Sequence, residues 1–149
     1  MTPAVFAALA GAVLGGALVA LQAPTNAMLA RAVGSPVNAA LVSFAVGLAG
    51  LAVAALALGI RPNPAEVRAL PWYAWTGGLY GAVFVAVAAF AAPRIGVTFF
   101  LAASIAGQLA MALLLDRAGA FGVPVQEISI QRVAGVVLVL AGAWLVQQR

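Results

Sequence analysis

Two side-chain amides and a proline lie together in an otherwise apolar stretch near the start of this sequence. Gln22 and Asn26 are four residues apart, so they share one face of a helix. Pro24 lies between them; it has no backbone N–H, and its ring clashes with the carbonyl four residues earlier, which frees polar backbone at the same depth. Thr25 adds a hydroxyl group beside the proline. Polar groups like these are costly inside an apolar helix unless another helix or a solute hydrogen-bonds them.

We therefore predict a solute-binding site that includes Gln22, Thr25 and Asn26, and we interpret Pro24 as a helix break that opens backbone to this site. The alternative is that the amides link helices within the membrane, as buried membrane amides often do. Further candidates for contact with a solute are Asn38, Ser43, Tyr80, Phe84, Ser104 and Gln108. Asn38 can equally serve a turn between helices, and the two aromatic side chains can equally be packing.

The residues needed for catalysis are missing from the sequence. Cysteine and histidine are absent, which excludes thiol chemistry, disulfides and the usual zinc sites. The acidic residues are Glu66, Asp116 and Glu127, and we place none of them inside a span. Asp116 is followed by Arg117, and we interpret this charged pair as the stop of a span at the membrane interface. The sequence therefore predicts no enzyme, no cofactor and no metal site.

The composition is that of an integral membrane protein. Apolar residues make up 66% of the chain and charged residues 7%, whereas soluble domains have roughly 45–50% and roughly 25%. The 149 residues allow about five crossings of roughly 20 residues each. The net charge of +4 comes from arginines without a basic run, which indicates anchoring to lipid headgroups and no binding of nucleic acid. Because no charged side chain precedes the first apolar run, we interpret that run as a retained span.

We predict an all-α fold with a single five-helix transmembrane domain over residues 1–149. The five spans are predicted at about 3–33, 36–58, 71–92, 97–115 and 130–146. Gly34, Ser35 and Pro36 are typical of a helix end followed at once by a capped helix start, and Pro93 is predicted to close the third span. Gly135 and Gly142 are seven residues apart on the last span, a spacing that suits contact between helices.

The seven arginines are divided almost equally between the two sides of the membrane that these spans define. Four lie on the side of the N-terminus: Arg61, Arg68, Arg117 and Arg132. Three lie on the other side: Arg31, Arg94 and Arg149. Orientation normally follows a clear excess of arginine and lysine on the cytoplasmic side. A difference of one leaves two interpretations open, insertion in both orientations or a single orientation selected by a small bias.

Four segments of the sequence resemble a known family. They are L-Q-A-P-T-N-A-M-L-A-R-A-V-G-S-P-V-N-A-A-L-V-S-F (Leu21–Phe44), W-Y-A-W-T-G-G-L-Y-G-A (Trp72–Ala82), P-R-I-G (Pro93–Gly96) and G-Q-L-A-M-A-L-L-L-D (Gly107–Asp116). The chain is similar to the half-size bacterial inner-membrane family once catalogued as domain of unknown function 606, in the drug/metabolite transporter superfamily. The first segment is the most specific, and the resemblance spans nearly the whole chain.

The resemblance implies five helices per chain and transport by pairs of chains. In that family the pairs are antiparallel homodimers, heterodimers of oppositely oriented paralogues, or fused halves. By analogy with the small multidrug-resistance exporters, it implies that the last span, with Gly135 and Gly142, forms the dimer contact. Those exporters exchange protons for cations at a glutamate in their first helix, and this sequence has no acidic residue in a predicted span.

We therefore expect a multi-pass protein of the bacterial inner membrane that moves a small polar or amphipathic solute by alternating access. Its expected partners are the solute, membrane lipid, and a second copy of the chain or a paralogue. The cavity is expected near the midplane, as in other transporters built from repeats. Two other functions stay open at this point: a non-transporting membrane subunit that assembles with a larger partner, and a dual-topology ion channel.

Overall fold

The computed structural model describes residues 2–147, without the side chain of Gln147. Arg149, which the count of arginines includes, lies outside the described residues. Within them the α-helices are α1 (Pro3–Val33), α2 (Pro36–Ala57), α3 (Pro64–Ala69), α4 (Gly77–Ile95), α5 (Val97–Ala118) and α6 (Ile130–Gln147). A 3-10 helix over Trp72–Thr76 leads into α4, and residues 2–147 contain no β-strand. The predicted all-helical class is confirmed.

Within residues 2–147, four helical segments are long and apolar enough to cross a membrane: Pro3–Val33, Pro36–Ala57, Trp72–Ile95 and Val97–Ala118. A fifth segment, Ile130–Val146, is apolar but shorter. The 31 residues of α1 correspond to roughly 45 Å of helix, which exceeds the roughly 30 Å of hydrocarbon in a bilayer. A tilt of α1 would accommodate the difference.

The chain divides into two compact units, one ending at Pro93 and one beginning at Arg94. In the first unit α1 packs along α2, and in the second α5 packs along α6. The boundary between the units falls within α4. The single five-helix domain stays a prediction.

The turn between α1 and α2 is formed by the residues that the sequence indicates. Gly34 has a φ of 83°, in the left-handed region, and ends α1. The Ser35 hydroxyl accepts a hydrogen bond from the Asn38 backbone N–H at 3.0 Å, and the Asn38 side-chain amide donates to the Val33 carbonyl at 3.0 Å. Asn38 therefore closes the hairpin, which is the turn role that the sequence left open for it.

The turn between α4 and α5 differs from the prediction. Pro93 does not close the span, because α4 continues through it to Ile95. A single residue, Gly96, separates the two helices, and its φ of 87° with a ψ of 144° is backbone that glycine adopts readily. The helix ends where a residue can leave helical geometry, and the missing N–H of the proline costs only one hydrogen bond.

The end of α5 also differs from the prediction. The helix does not stop at Asp116 and Arg117 but continues to Ala118. Gly119 follows with a φ of 58°, and its N–H donates to the Leu115 carbonyl. A Cβ at Gly119 would lie 2.6 Å from the Cγ2 atom of Val125, so the loop after α5 folds back closely onto the end of that helix.

Candidate functional site

Pro24 does not break α1, which is where the structure departs most from the predicted site. The helix runs from Pro3 to Val33 with the proline inside it. The Thr25 hydroxyl donates to the carbonyls of Leu21 and Gln22, at 3.0 Å in each case. Thr25 thus supplies hydrogen bonds to the helix itself beside the missing N–H, and its hydroxyl is engaged locally instead of being presented to a solute.

Asn26 is the buried polar residue of this segment. It is 4% exposed and shares the buried face of α1 with Ala23 and Ala27. Its side-chain nitrogen Nδ2 has no hydrogen-bond partner among the described residues. Leaving a buried amide donor without a partner costs about 1–3 kcal/mol. The Asn26 amide thus has a donor for which residues 2–147 supply no acceptor.

Gln22 lies one turn before Asn26 and lines a groove within the first unit. The groove has a volume of about 290 Å³. Its lining residues are Gln22, Ser43, Phe44, Gly47, Leu48 and Leu51. The structure therefore brings together two predicted site residues, Gln22 of α1 and Ser43 of the adjacent helix α2. The lining of the groove is therefore mostly apolar, with Gln22 and Ser43 as its polar residues.

Phe44 is a site residue that the sequence reasoning missed. Its ring lines the groove of Gln22 and also a second, apolar groove of about 390 Å³. The second groove is lined by Val37, Ala40, Leu41, Phe44, Ala82, Val83 and Ala86. A Cβ at Gly81 would lie 3.1 Å from the Cζ atom of Phe44, so Gly81 leaves room for the ring. The spacing of Phe44, Gly47, Leu48 and Leu51 could have indicated this, because it places all four residues on one face of α2.

The remaining predicted site residues, Asn26 among them, do not line this groove. The Tyr80 side chain is exposed, and its hydroxyl accepts a hydrogen bond from the Thr76 hydroxyl at 2.8 Å. The Ser104 hydroxyl donates to the Phe100 carbonyl at 2.8 Å, within its own helix. Gln108 is exposed and Phe84 is half-buried. Any role of these residues in binding a solute stays a prediction.

The glycines of α6 are open in the structure. A Cβ at Gly135 or at Gly142 would meet no atom within 4 Å. Apart from the backbone of α6 itself, no atom among the described residues therefore lies beside these two glycines, and the dimer contact predicted there stays a prediction.

An ion pair at one end of α5 and α6 was also missed. The Arg132 guanidinium donates through Nη1 to the Oδ2 atom of Asp116 at 3.1 Å. The Arg132 Nη2 atom donates to the Oε1 atom of Gln126. The backbone N–H of Gln126 in turn donates to the Asp116 carbonyl at 2.9 Å. From the sequence, Asp116 and Arg132 are interpreted as separate loop charges, because they are 16 residues apart. They come together only because the loop folds back at Gly119.

The pair marks the polar end of a third groove, which has a volume of about 380 Å³. The groove is lined by Leu109, Ala112, Leu113 and Asp116 of α5 and by Arg132, Gly135, Val136 and Val139 of α6. Apart from the two charged residues its lining is apolar. This groove lies entirely within the second unit.

Comparison with known proteins finds similarity over most of the chain. Residues 7–145 match the family described as "Putative inner membrane exporter, YdcZ". The chain is also similar to "Inner membrane protein YdcZ" of Escherichia coli (strain K12), with 31% identity over 83 residues. That region covers 56% of this chain and 55% of the relative, so the chain spans about half the length of the curated relative it matches. No solved structure matches the chain.

Proposed function

Because the chain belongs to the YdcZ family, a half-size inner-membrane family related to the drug/metabolite transporter superfamily, we propose that it moves a small polar or amphipathic solute by alternating access. The protein is a multi-pass protein of the inner membrane. The family is described as one of exporters, which supports a transporter in general. The solute and the mechanism are our proposal.

The observation on which the proposal rests is the buried amide of Asn26. A membrane helix gains nothing from an amide donor that is 4% exposed and has no partner among the described residues. A solute that brings a carbonyl, carboxylate or hydroxyl oxygen to Asn26 would remove this cost while it is bound. Gln22 lies one turn away and lines a groove with Ser43, and we propose that the same solute reaches its amide.

The proposed working unit is a dimer of five-helix chains, either two copies in opposite orientations or this chain with a paralogue. Two features support it. The arginines divide almost equally between the two predicted sides of the membrane. Gly142 gives α6 a small residue outside the lining of the groove between α5 and α6, where it would let a partner helix approach closely. In such a pair each amide would occur twice around one cavity.

Solute flux into proteoliposomes tests the proposal. The protein is reconstituted and offered a panel of small polar and amphipathic solutes, and the initial rate is measured against concentration. We expect at least one solute whose flux saturates, because alternating access binds one load per cycle. Flux that rises without saturation would indicate a channel, and no flux for any solute would indicate an assembly subunit; either result would contradict the proposal.

A matched pair of variants locates the site. We expect Gln22→Ala to lower the saturable flux, because Gln22 lines the groove with Ser43. Gln131→Ala removes an exposed amide at the start of α6 and is expected to leave the flux unchanged. If the two variants have equal effects on the flux, the groove of Gln22 is not part of the transport path.

A further inference from the structure

The groove between α5 and α6 has the form of a site for one amphipathic molecule. Asp116 lies two residues before the end of α5, and Arg132 lies two residues after the start of α6. Leu109 lines the groove seven residues before Asp116, and Val139 lines it seven residues after Arg132. The two helices therefore run antiparallel along the groove for about 10 Å. Both charges lie near the ends of their helices, and the apolar lining extends from them toward the middle of each helix.

The charged end is held in place by the loop that joins the two helices. The absence of a side chain at Gly119 allows Val125 to approach the end of α5. The next residue, Gln126, hydrogen-bonds the Asp116 carbonyl and the Arg132 guanidinium. Two of the five N–H groups of the guanidinium are used in these contacts, and the others can bind a further oxygen. The side chains of Arg132 and Asp116 are 37% and 30% exposed, so both remain accessible.

We propose that this groove binds a membrane phospholipid with a zwitterionic headgroup that carries a primary ammonium, such as phosphatidylethanolamine. Arg132 would bind the phosphate oxygens, Asp116 would accept hydrogen bonds from the ammonium, and an acyl chain would lie along the apolar lining at Ala112 and Gly135. The site differs from the groove of Gln22 and does not depend on which solute is moved.

The charges favour this headgroup over an anionic one. Asp116 lies 3.1 Å from Arg132, so an anionic headgroup on the arginine would also meet the carboxylate. A headgroup that contains both a phosphate and an ammonium matches both members of the pair. The neighbouring charges, Arg117 on α5 and Glu127 in the loop, are opposite in sign and leave the region balanced. The assignment places Gly135 in a lipid groove, whereas Gly142 lies outside the lining and stays available to a second chain.

The test uses purified, delipidated protein in detergent, titrated separately with dioleoyl phosphatidylethanolamine, phosphatidylcholine and phosphatidylglycerol. Bound lipid is counted by native mass spectrometry. We expect phosphatidylethanolamine to bind about tenfold or more tightly than the other two, because phosphatidylcholine has no N–H to donate and phosphatidylglycerol has no ammonium. Asp116→Asn should reduce this preference to near unity, and Arg132→Gln should weaken binding of all three lipids. Equal binding of the three lipids, or a preference for phosphatidylglycerol, would overturn the proposal.

A second pair of variants leaves the ion pair intact. Ala112→Leu fills the groove, whereas Ala110→Leu adds the same side chain to an exposed position of α5 outside the lining. We expect Ala112→Leu to lower the affinity for phosphatidylethanolamine about tenfold or more and Ala110→Leu to leave it unchanged. If the two variants bind lipid equally well, the groove is not the site. If Ala112→Leu changes only the ratio of monomer to dimer, the occupant is a second chain and the lipid proposal fails.

Discussion

Thr25 and Asn26 are adjacent in α1, but their polar side chains differ in whether they find a hydrogen-bond partner. The Thr25 hydroxyl turns back onto the carbonyls of Leu21 and Gln22 beside the proline. Asn26, on the buried face, has an amide nitrogen without a partner among the described residues. A hydroxyl can bond the preceding turn of its own helix, whereas a buried amide needs an acceptor elsewhere. Of these two side chains, Asn26 is the one with a donor that the described residues leave unused.

Replacing Asn26 by leucine should make the solute-free protein more stable. The change removes a buried donor that lacks a partner and keeps a side chain of similar size, so the free energy of unfolding should rise by about 1–3 kcal/mol. Reversible unfolding in mixed micelles, followed by tryptophan fluorescence, measures the change. Gln108→Leu is the control, because this amide is exposed and its removal should have little effect. A loss of stability in Asn26→Leu would show that the amide already serves a contact between helices.

Two of the helices, α1 and α4, end where a glycine allows the chain to turn, although each contains a proline. Gly34 and Gly96 both have positive φ angles and end α1 and α4, while Pro24 and Pro93 lie inside helices. The sequence correctly indicated the turn at Gly34, because its cap residues are local in the chain. The prediction that Pro93 ends α4 is wrong. In an apolar environment the further backbone hydrogen bonds of the helix stabilise it more than the loss of one hydrogen bond at the proline destabilises it.

Gly96→Ala should destabilise the protein, because an alanine at a φ of 87° is strained. The expected loss is about 1–3 kcal/mol of the free energy of unfolding. Gly107→Ala is the matched control: Gly107 lies within α5, and a Cβ there would meet no atom within 4 Å. That variant should be neutral or stabilise the protein by up to about 1 kcal/mol. The same denaturation assay compares them. Equal effects of the two variants would contradict the claim that the turn between α4 and α5 needs a glycine at position 96.

The whole molecule has a nearly even distribution of arginines about its apolar spans. The composition alone indicated an all-helical membrane protein, and the resemblance to a half-size inner-membrane family is confirmed by the match over residues 7–145. The grooves could not be predicted in the same way. Gln22 and Ser43 line one groove only because α1 packs along α2, and Asp116 reaches Arg132 only because the loop between α5 and α6 folds back. Neither relation is visible in local spacing.

The near tie of arginines predicts that the chain inserts in both orientations. A reporter fused after residue 149 and assayed for exposure on each face of the membrane should therefore detect two populations. Arg94→Gln would change the balance from four against three to four against two, which should enrich the form with its N-terminal side in the cytoplasm. Arg132 is left intact because it forms the ion pair with Asp116. Detection of a single orientation that Arg94→Gln does not alter would contradict the antiparallel homodimer.

The most direct test of the central claim is solute-dependent thermal stabilisation of the wild-type protein compared with Asn26→Leu. Both purified proteins are heated with the same panel of small polar and amphipathic solutes, and the midpoint of unfolding is recorded with and without each solute. A solute that binds the folded state alone raises the midpoint in proportion to its affinity. We predict that at least one solute stabilises the wild type and that Asn26→Leu loses most of this response. An equal response in both proteins would contradict the claim that the Asn26 amide receives the solute.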